Sequence, residues 1–249
     1  MSPWCSPIQT NFATMKPLGT KSYGSIPHLP GSRVGPGDYH ISEGQANIAT
    51  VKSRDRHDLV IVQEKLDGSN VSAAKINGEI VALTRAGYLA STSPYLQHHL
   101  FGTWVKKNEH RFKEVLQEGE RLVGEWLAMA AGTRYNLPHE PFVAFDLMAG
   151  KDRKTYAEMV TIVTPHDFVT PWVIHQGGAF PIDAALKSIE TSGHGALDPV
   201  EGAVWRVERK GKVDFLCKYV HHFKQDGKYF AEQTGQGEFW NIDIGLFSE

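Results

Sequence analysis

A single lysine stands at the end of an apolar run and is followed at once by a compact polar turn. The run 59–62 is rich in β-branched residues and predicts a buried strand, which Lys65 leaves as the backbone begins to turn. A lysine attacks an electrophile only as the neutral amine, so neighbouring cations or partial burial must lower its pKa. Asp67 and Asn70 offer oxygens to a metal or a sugar, and Gly68 would let a ligand approach the backbone. The pattern indicates a nucleophile, although an ordinary hairpin turn would also explain the Asp-Gly dipeptide.

Further polar and aromatic residues lie in later apolar segments of strand type. A charged group in such a strand must face a partner or a ligand, because burying it alone is costly. Each residue by itself is compatible with an ion pair inside a sheet. Their occurrence together favours one shared site. The set is Arg85, Glu125, Phe145, Glu201 and Lys218.

This ordered set resembles the covalent nucleotidyltransferase superfamily, which comprises polynucleotide ligases and messenger RNA capping enzymes. Within the superfamily the chain is most similar to ATP-dependent RNA ligases of the RNA ligase 2-like type. The first family motif has the form Lys-x-Asp/His-Gly-x-Asn/Arg, and residues 65–70 match it in full. RNA ligases favour Asn at the last position, whereas DNA ligases usually carry Arg. The resemblance runs from about Val60 to Val220.

The resemblance implies an ATP-dependent RNA ligase that joins 5′-phosphate and 3′-hydroxyl ends. Lys65 would attack the α-phosphate of ATP, expel pyrophosphate and carry the AMP as a lysyl-adenylate. The AMP would then pass to the RNA 5′-phosphate, and the 3′-hydroxyl would displace it. Catalysis of such in-line displacements is mainly positioning and charge neutralisation. The expected cofactors are ATP and Mg²⁺ or Mn²⁺, and the expected partner is RNA carrying these ends.

The same resemblance assigns roles to individual residues. Lys65 and Lys218 are the expected catalytic residues, with Lys218 against the α-phosphate. Phe145 would stack on the adenine and Val204 would close the other face of the ring. The residues expected to hold the nucleotide are Glu64, Asn70, Arg85, Glu125, Phe145, Val204 and Lys218. Those expected to hold a hydrated metal ion through its waters are Asp67, Glu125 and Glu201.

The last motif departs from the family pattern. Many members have Lys-x-Lys, but residue 216 is Leu, so Lys218 is the one lysine of the pair. Lys212 could replace the missing charge, although an exposed lysine in a turn fits its surroundings better. Two alternatives to an RNA ligase therefore stay open. One is a DNA ligase or a capping-type guanylyltransferase, and the other is a nucleotide- or RNA-end-binding protein without turnover.

The expected fold is α+β, an ATP-grasp-like nucleotidyltransferase domain of antiparallel sheets flanked by helices. Residues 1–58 are rich in Pro, Gly and Ser and predict an irregular segment packed on the core. The adenylation domain spans 59–220, and a short C-terminal segment, 221–249, is too short for an OB-fold. A helix is expected from Ser93-Pro94 to about 118 and another near 183–191. Strands are expected near 59–66, 70–77, 79–85, 121–128, 142–148, 202–208 and 213–219.

Composition agrees with a globular intracellular protein. The chain has 249 residues, of which 41% are hydrophobic and 22% charged, enough for a full core. Its two cysteines are far apart in sequence and favour a reducing cytoplasm, and no apolar stretch is long enough to span a membrane. A net charge of −2 predicts weak, salt-dependent RNA binding. The apolar end of the C-terminal segment is expected to pack on the domain or to bind a protein partner or a second copy.

Overall fold

The computed structural model describes residues 16–247 of the chain. These residues form two antiparallel sheets, each covered by helices on its outer face. The first sheet has the order β7-β1-β8-β9, and the second has the order β3-β2-β4-β5-β6. The strands are β1 (Asp58–Lys65), β2 (Ser69–Ile76), β3 (Glu79–Thr84), β4 (Glu120–Trp126), β5 (Phe142–Ala149), β6 (Asp152–Arg153), β7 (Val173–Gly177), β8 (Gly202–Arg209) and β9 (Lys212–Val220). The helices are α1 (Glu43–Thr50), α2 (Leu96–Lys107), α3 (Glu109–Val115), α4 (Tyr156–Val163), α5 (Ile182–Ser188) and α6 (Ala231–Thr234). The predicted α+β class is confirmed.

Each sheet buries one face against helices and turns the other toward a cleft. Alternate residues of β8 and β9, such as Trp205 and Cys217, pack with α1 and α5. Alternate residues of the second sheet, such as Leu122 and Ala144, pack with α2, α3 and α4. Because side chains alternate along a strand, the intervening residues face the cleft.

The loop that carries the first motif crosses from one sheet to the other. β1 ends at Lys65 in the first sheet, and β2 begins at Ser69 in the second. A Cβ atom on Gly68 would lie 2.5 Å from the carbonyl oxygen of Trp126 and 2.9 Å from Leu127 Cδ2. Packing against the end of β4 therefore requires glycine here, and that Gly68 also lets a ligand approach the backbone stays a prediction.

The helical stretch expected from 93 to 118 is divided. A short 3₁₀ turn (Ala90–Thr92) precedes α2, and Asn108 separates α2 from α3. The side-chain amide of Asn108 donates to the carbonyl oxygen of Trp104 at 2.9 Å, and the Asn108 backbone leaves helical geometry with ψ of 16°. Asparagine competes with the backbone for hydrogen bonds in this way and favours a break.

Of the predicted irregular segment 1–58, residues 1–15 lie outside the described residues, and residues 16–58 contain helix α1 and a backbone pairing with β9 as well as irregular coil. Ser42 caps α1, whose Ala46 and Ala49 are buried. Residues 27–29 run beside β9, where the Leu29 amide donates to Lys218 and the Lys218 amide donates to Pro27. This pairing covers the edge of the first sheet, which would otherwise be open to another chain.

The C-terminal segment lies along residues 127–135. The amides of Ala130 and Asn241 donate to Phe239 and Ala128, and the side chain of Asn241 bonds the backbone of Leu127 and Tyr135. Trp240 and Ile242 pack against the helix-covered core of the second sheet. These two apolar side chains therefore pack on the domain itself.

Candidate active site

The cleft between the sheets has two adjoining compartments. The inner one, here called the base compartment, encloses about 810 Å³ including its opening. It is lined by the predicted residues Glu64, Lys65, Asn70, Arg85, Glu125, Phe145, Val204 and Lys218. The outer compartment shares Lys65, Asn70, Arg85 and Glu125 with it and adds Asp67 and Glu201. The structure thus brings all of the predicted site residues together in one cleft.

The acids around Lys65 favour its ammonium form. Its Nζ lies 2.5 Å from Glu201 Oε2, and Glu125 is also close. Burial lowers the pKa of Lys65, but the negative charges of Glu201 and Glu125 outweigh burial and hold this pKa above its ordinary value. The structure therefore corrects the expectation of a lowered pKa.

Glu201 is buried and Glu125 is half-buried, and the two acids share one lysine. Burial, with repulsion from Glu201, raises the pKa of Glu125 to about 7. Burial also raises the pKa of Glu201, despite the attraction of Lys65. A carboxylate pair with too little positive charge around it fits a hydrated divalent cation, which takes carboxylate oxygens and keeps waters. Among residues 16–247, no three His, Cys, Asp or Glu side chains form a direct ligand cluster.

The carboxylate of Asp67 is held by neighbouring residues, so it is less mobile than a metal ligand without other partners. Its Oδ2 accepts hydrogen bonds from the Gly132 amide and the Thr133 hydroxyl, each at 3.0 Å. Lys224 Nζ also lies 3.2 Å from the same oxygen. Oδ2 is therefore fully engaged away from the cleft, which leaves Oδ1 as the oxygen available to a hydrated ion.

Phe145 reaches the base compartment through a β-bulge. Val123 pairs with Asp146 and Gly124 with Ala144, so Phe145 is the extra residue on β5. Bulges of this kind change the direction of a side chain next to a site. Val204, on β8, lines the same compartment from the other sheet. The two side chains are placed on opposite walls, as a stacked base requires.

The side chain of Glu64 is held by neighbouring residues, whereas the Gln63 beside it has a side-chain donor without a partner. The Glu64 carboxylate is held by the Ser192 hydroxyl at 2.5 Å and the Gly193 amide at 2.8 Å. Gln63 shares the cleft face of β1 with Lys65, and its side-chain nitrogen is buried without a partner. A buried donor without a partner is costly, so a ligand atom is its natural acceptor. Sequence reasoning missed Gln63, although strand alternation from Lys65 points to it.

A second group that the sequence reasoning missed closes the inner end of the base compartment. The Tyr23 hydroxyl donates to Asp146 at 2.7 Å, and Arg206 forms a very short ion pair with the same carboxylate. Tyr23 also packs edge-on against Phe145, with ring centroids 5.3 Å apart. Leu216 pairs with Arg206 in the β8–β9 register and lines the same wall of the pocket. The apolar residue in the last motif is thus part of the pocket wall.

Lys218 lies in the cleft, but Lys212 does not. Burial, together with the nearby charge of Lys65, lowers the pKa of Lys218. Asp38 of the N-terminal segment lies 3.9 Å from Lys218 Nζ and 3.1 Å from His28 Nε2. Lys212 is exposed at the far end of β9, about 20 Å away at the rise of an extended strand. It therefore does not replace the missing lysine.

The sequence profile of the RNA ligase family matches residues 58–220. The chain belongs to the RNA ligase family. The predicted resemblance is thereby confirmed at family level. A comparison with curated protein sequences finds no match.

Solved structures of RNA ligases share the fold. An archaeal ATP-dependent RNA ligase superimposes with a TM-score of 0.51 at 17% identity, over 80% of this chain and 48% of the archaeal chain. RNA ligase from Naegleria gruberi, solved with pyrophosphate, gives a TM-score of 0.48 at 15% identity over 94% of this chain and 65% of the other. The chain thus spans about half the length of the archaeal enzyme.

Proposed function

We propose that the protein is an ATP-dependent RNA ligase that joins 5′-phosphate and 3′-hydroxyl ends through a lysyl-AMP intermediate. The observation that carries the proposal is the position of Lys65. It lines both compartments, between the aromatic wall at Phe145 and the carboxylates Glu125 and Glu201. A nucleotide with its base against Phe145 would present its α-phosphate at this boundary. Membership of the RNA ligase family supports the same reaction.

The base compartment fits the nucleoside part of ATP. Phe145 and Val204 would lie on the two faces of the purine ring, and Gln63 would meet its edge. The side-chain oxygen of Asn70 is buried without a partner and faces both compartments. This oxygen can accept a hydrogen bond from a ribose hydroxyl.

Phosphoryl chemistry at the boundary would depend on removing a proton from Lys65. Glu201, 2.5 Å from Lys65 Nζ and with a raised pKa, is the nearest acceptor for that proton. A hydrated Mg²⁺ or Mn²⁺ bound at Glu125 and Glu201 would neutralise these carboxylates and shield the triphosphate. Lys218 and Arg85 line the compartment as cations for the α-phosphate or for the incoming 5′-phosphate.

RNA ends would enter through the outer compartment. Tyr88 and Tyr95 line it and are 37% and 59% exposed, an unusual exposure for large rings next to a buried lysine. Exposed aromatic rings beside a cationic cleft are suited to stacking on unpaired bases. RNA with free ends, rather than a continuous duplex surface, is the substrate that this arrangement supports.

Location and assembly stay predictions. None of the helices within residues 16–247 is long and apolar enough to cross a membrane. Cys217 is a free, buried thiol, which agrees with the expected reducing cytoplasm. Phe239 and Ile244 in the C-terminal segment keep about a third of their surface exposed, so a protein partner or self-association there is still proposed.

Covalent labelling tests the function directly. We expect the protein, incubated with α-labelled ATP and Mg²⁺, to keep its label through denaturing electrophoresis. Lys65→Ala should lose the label while keeping its melting temperature, and Lys65→Arg should not restore it, because guanidinium remains protonated.

Three other outcomes would contradict the proposal. Labelling from GTP rather than ATP would indicate a guanylyltransferase, an alternative kept open because donors such as the Gln63 amide also suit the guanine acceptors O6 and N7. Absence of any label, with ATP binding retained, would indicate a binding protein without turnover. Sealing of DNA strands in preference to RNA strands would indicate a DNA ligase.

A further inference from the structure

Lys224 is a buried cation outside the family-matched region, and the proposed reaction has not yet used it. Its residue is 7% exposed and follows β9 within the C-terminal segment. The ammonium contacts Asp67 Oδ2 at 3.2 Å and the Gly132 carbonyl oxygen at 3.3 Å, and it donates a very short hydrogen bond to the Thr133 hydroxyl. A lysine is rarely buried unless it is paired. Its three contacts all lie on or around the loop that carries the nucleophile.

The contacts form a closed set around one carboxylate oxygen. Thr133 accepts a hydrogen bond from Lys224 and donates its own proton to Asp67 Oδ2, while the Gly132 amide donates to the same oxygen. The Asp67 amide in turn donates to the Tyr135 hydroxyl at 3.0 Å. Asp67 is therefore fixed at its backbone and at one carboxylate oxygen.

The chain is packed without spare room at this junction. A Cβ atom on Gly132 would lie 2.7 Å from Asp67 Oδ2 and 2.7 Å from the carbonyl oxygen of Gln225. Three separate segments, the nucleophile loop, residues 131–133 and the start of the C-terminal segment, meet around that glycine. A small displacement of Lys224 would therefore be transmitted to Asp67.

The positive charge of Lys224 also acts on the acids around Lys65. Asp67, Glu125 and Glu201 place three acids near Lys65, and the charge of Lys224 also stabilises ionised Glu201. Lys224 neutralises part of this negative charge from the side of Asp67 that faces away from the cleft, where a ligand in the cleft does not reach. Lys65 is thereby left with Glu201 as its own direct partner.

We propose that Lys224 is a positioning residue for adenylation, which holds Asp67 so that its second carboxylate oxygen and the adjoining Lys65 face the nucleotide. The inference rests on the proposed ligase function and extends it to the C-terminal segment. Lys224 does not touch the nucleotide in this arrangement. Its effect on the rate passes through Asp67.

The test is a double-mutant cycle on the full chain. We expect Lys224→Met to lower the single-turnover rate of lysyl-adenylate formation by between about 10- and 100-fold, the usual cost of losing a residue that orients a ligand-binding group. The half-saturating ATP concentration should change less than about twofold, because Lys224 lies behind the loop. In a protein that already carries Asp67→Asn, Lys224→Met should lower the adenylation rate little further, because the residue through which Lys224 acts has already been altered.

Lys228→Met is the matched control, because Lys228 lies in the same segment but is exposed and pairs with Asp198. It should keep the parent rate. Lys224→Gln, which retains a donor without the charge, replaces the methionine variant if that variant does not fold, and it should show a smaller loss in the same direction.

Three results would overturn the inference. They are a parent-like rate in both Lys224 variants, an equal loss with and without Asp67, and a loss confined to the melting temperature. A parent protein that takes no label from ATP would instead overturn the proposed function, so the two failures are distinguishable.

Discussion

Lys65 has a charge environment opposite to the one that nucleophilic attack needs. A lysine that attacks phosphorus must be neutral, yet the acids around Lys65 stabilise its ammonium form. Attack by Lys65 on phosphorus therefore requires that its proton be removed first. The acids responsible are Glu125 and Glu201. Because both are withdrawn from water, replacing either one should change the free energy of unfolding by a measurable amount.

Substitution of Glu125 tests this environment through stability. Burial raises the pKa of Glu125 from 4.5 to about 7, so between these values the folded protein binds a proton that the unfolded chain has lost. The charged form therefore destabilises the fold increasingly as the pH rises from 4.5 to 7. We expect Glu125→Gln to match the parent in free energy of unfolding near pH 4.5 and to exceed it by about 1–2 kcal/mol at pH 8.

Urea denaturation of both proteins across this pH range measures the difference. The side chain is partly accessible to water, which keeps the expected gain below the full value of the pKa shift. Glu232→Gln, at an exposed position, should show no trend with pH. A gain for Glu125→Gln that is the same at every pH would contradict the assignment.

Lys218 should carry the work that two lysines share in other members of the family. Leu216 lines the pocket and Lys212 is remote, so no second lysine from the motif faces the cleft. We expect Lys218→Ala to reduce the single-turnover adenylation rate by about 100-fold or more, because the α-phosphate loses its nearest fixed charge. Lys212→Ala should remain within about twofold of the parent. The reverse order of effects would show that the wrong lysine was assigned.

At the scale of elements, the nucleophile loop is held in place by strand β4. Gly68 has no space for a methyl group against the backbone of Trp126. We expect Gly68→Ala to lower the free energy of unfolding by about 1–3 kcal/mol, since backbone must move to relieve the contact. Gly44, in helix α1, has no atom within 4 Å of its position for a Cβ, so Gly44→Ala should be neutral or slightly stabilising. Thermal and urea unfolding of both variants measure the difference. Equal changes in the free energy of unfolding would contradict the packing argument.

Most strand positions were predictable from the sequence, although β6 and β7 were missed, whereas side-chain contacts across the cleft were not predictable. The β-branched run at 59–62 and the Asn77-Gly78 dipeptide, which is typical of a hairpin turn, located β1, β2 and β3 within about one residue. The bulge at Phe145 and the different contacts of Gln63 and Glu64 depend on the register between strands, which a single sequence does not contain. The same holds for Lys224, whose partner lies in a loop far away in the chain. Helix α1 was missed because its Ser42 cap is followed by a short, weakly apolar stretch.

At the scale of the whole molecule, the cleft opens beside exposed aromatic rings. The net charge of −2 gives the protein no general attraction for RNA, so binding must depend on local groups at this opening. We expect Tyr95→Ala to weaken binding of single-stranded RNA by about 1–3 kcal/mol while leaving adenylation from ATP unchanged. Fluorescence anisotropy with a labelled oligonucleotide measures the affinity.

Tyr39→Ala is the matched control, because Tyr39 is 53% exposed and lines neither compartment. It should bind RNA as the parent does. A loss of equal size in both tyrosine variants would mean that RNA contacts a broad surface rather than the opening of the cleft.

The pairing of residues 27–29 with β9 has a consequence for biosynthesis. Lys218, the hydrogen-bond partner of Leu29, is synthesised long after Leu29 itself. Strand β1 likewise cannot pair with β8, its neighbour in the first sheet, until β8 has been synthesised. Pairings this distant in sequence form slowly and expose unpaired strand edges meanwhile. The first sheet, which carries the cleft residues Val204 and Lys218, is therefore complete only after β9 has emerged.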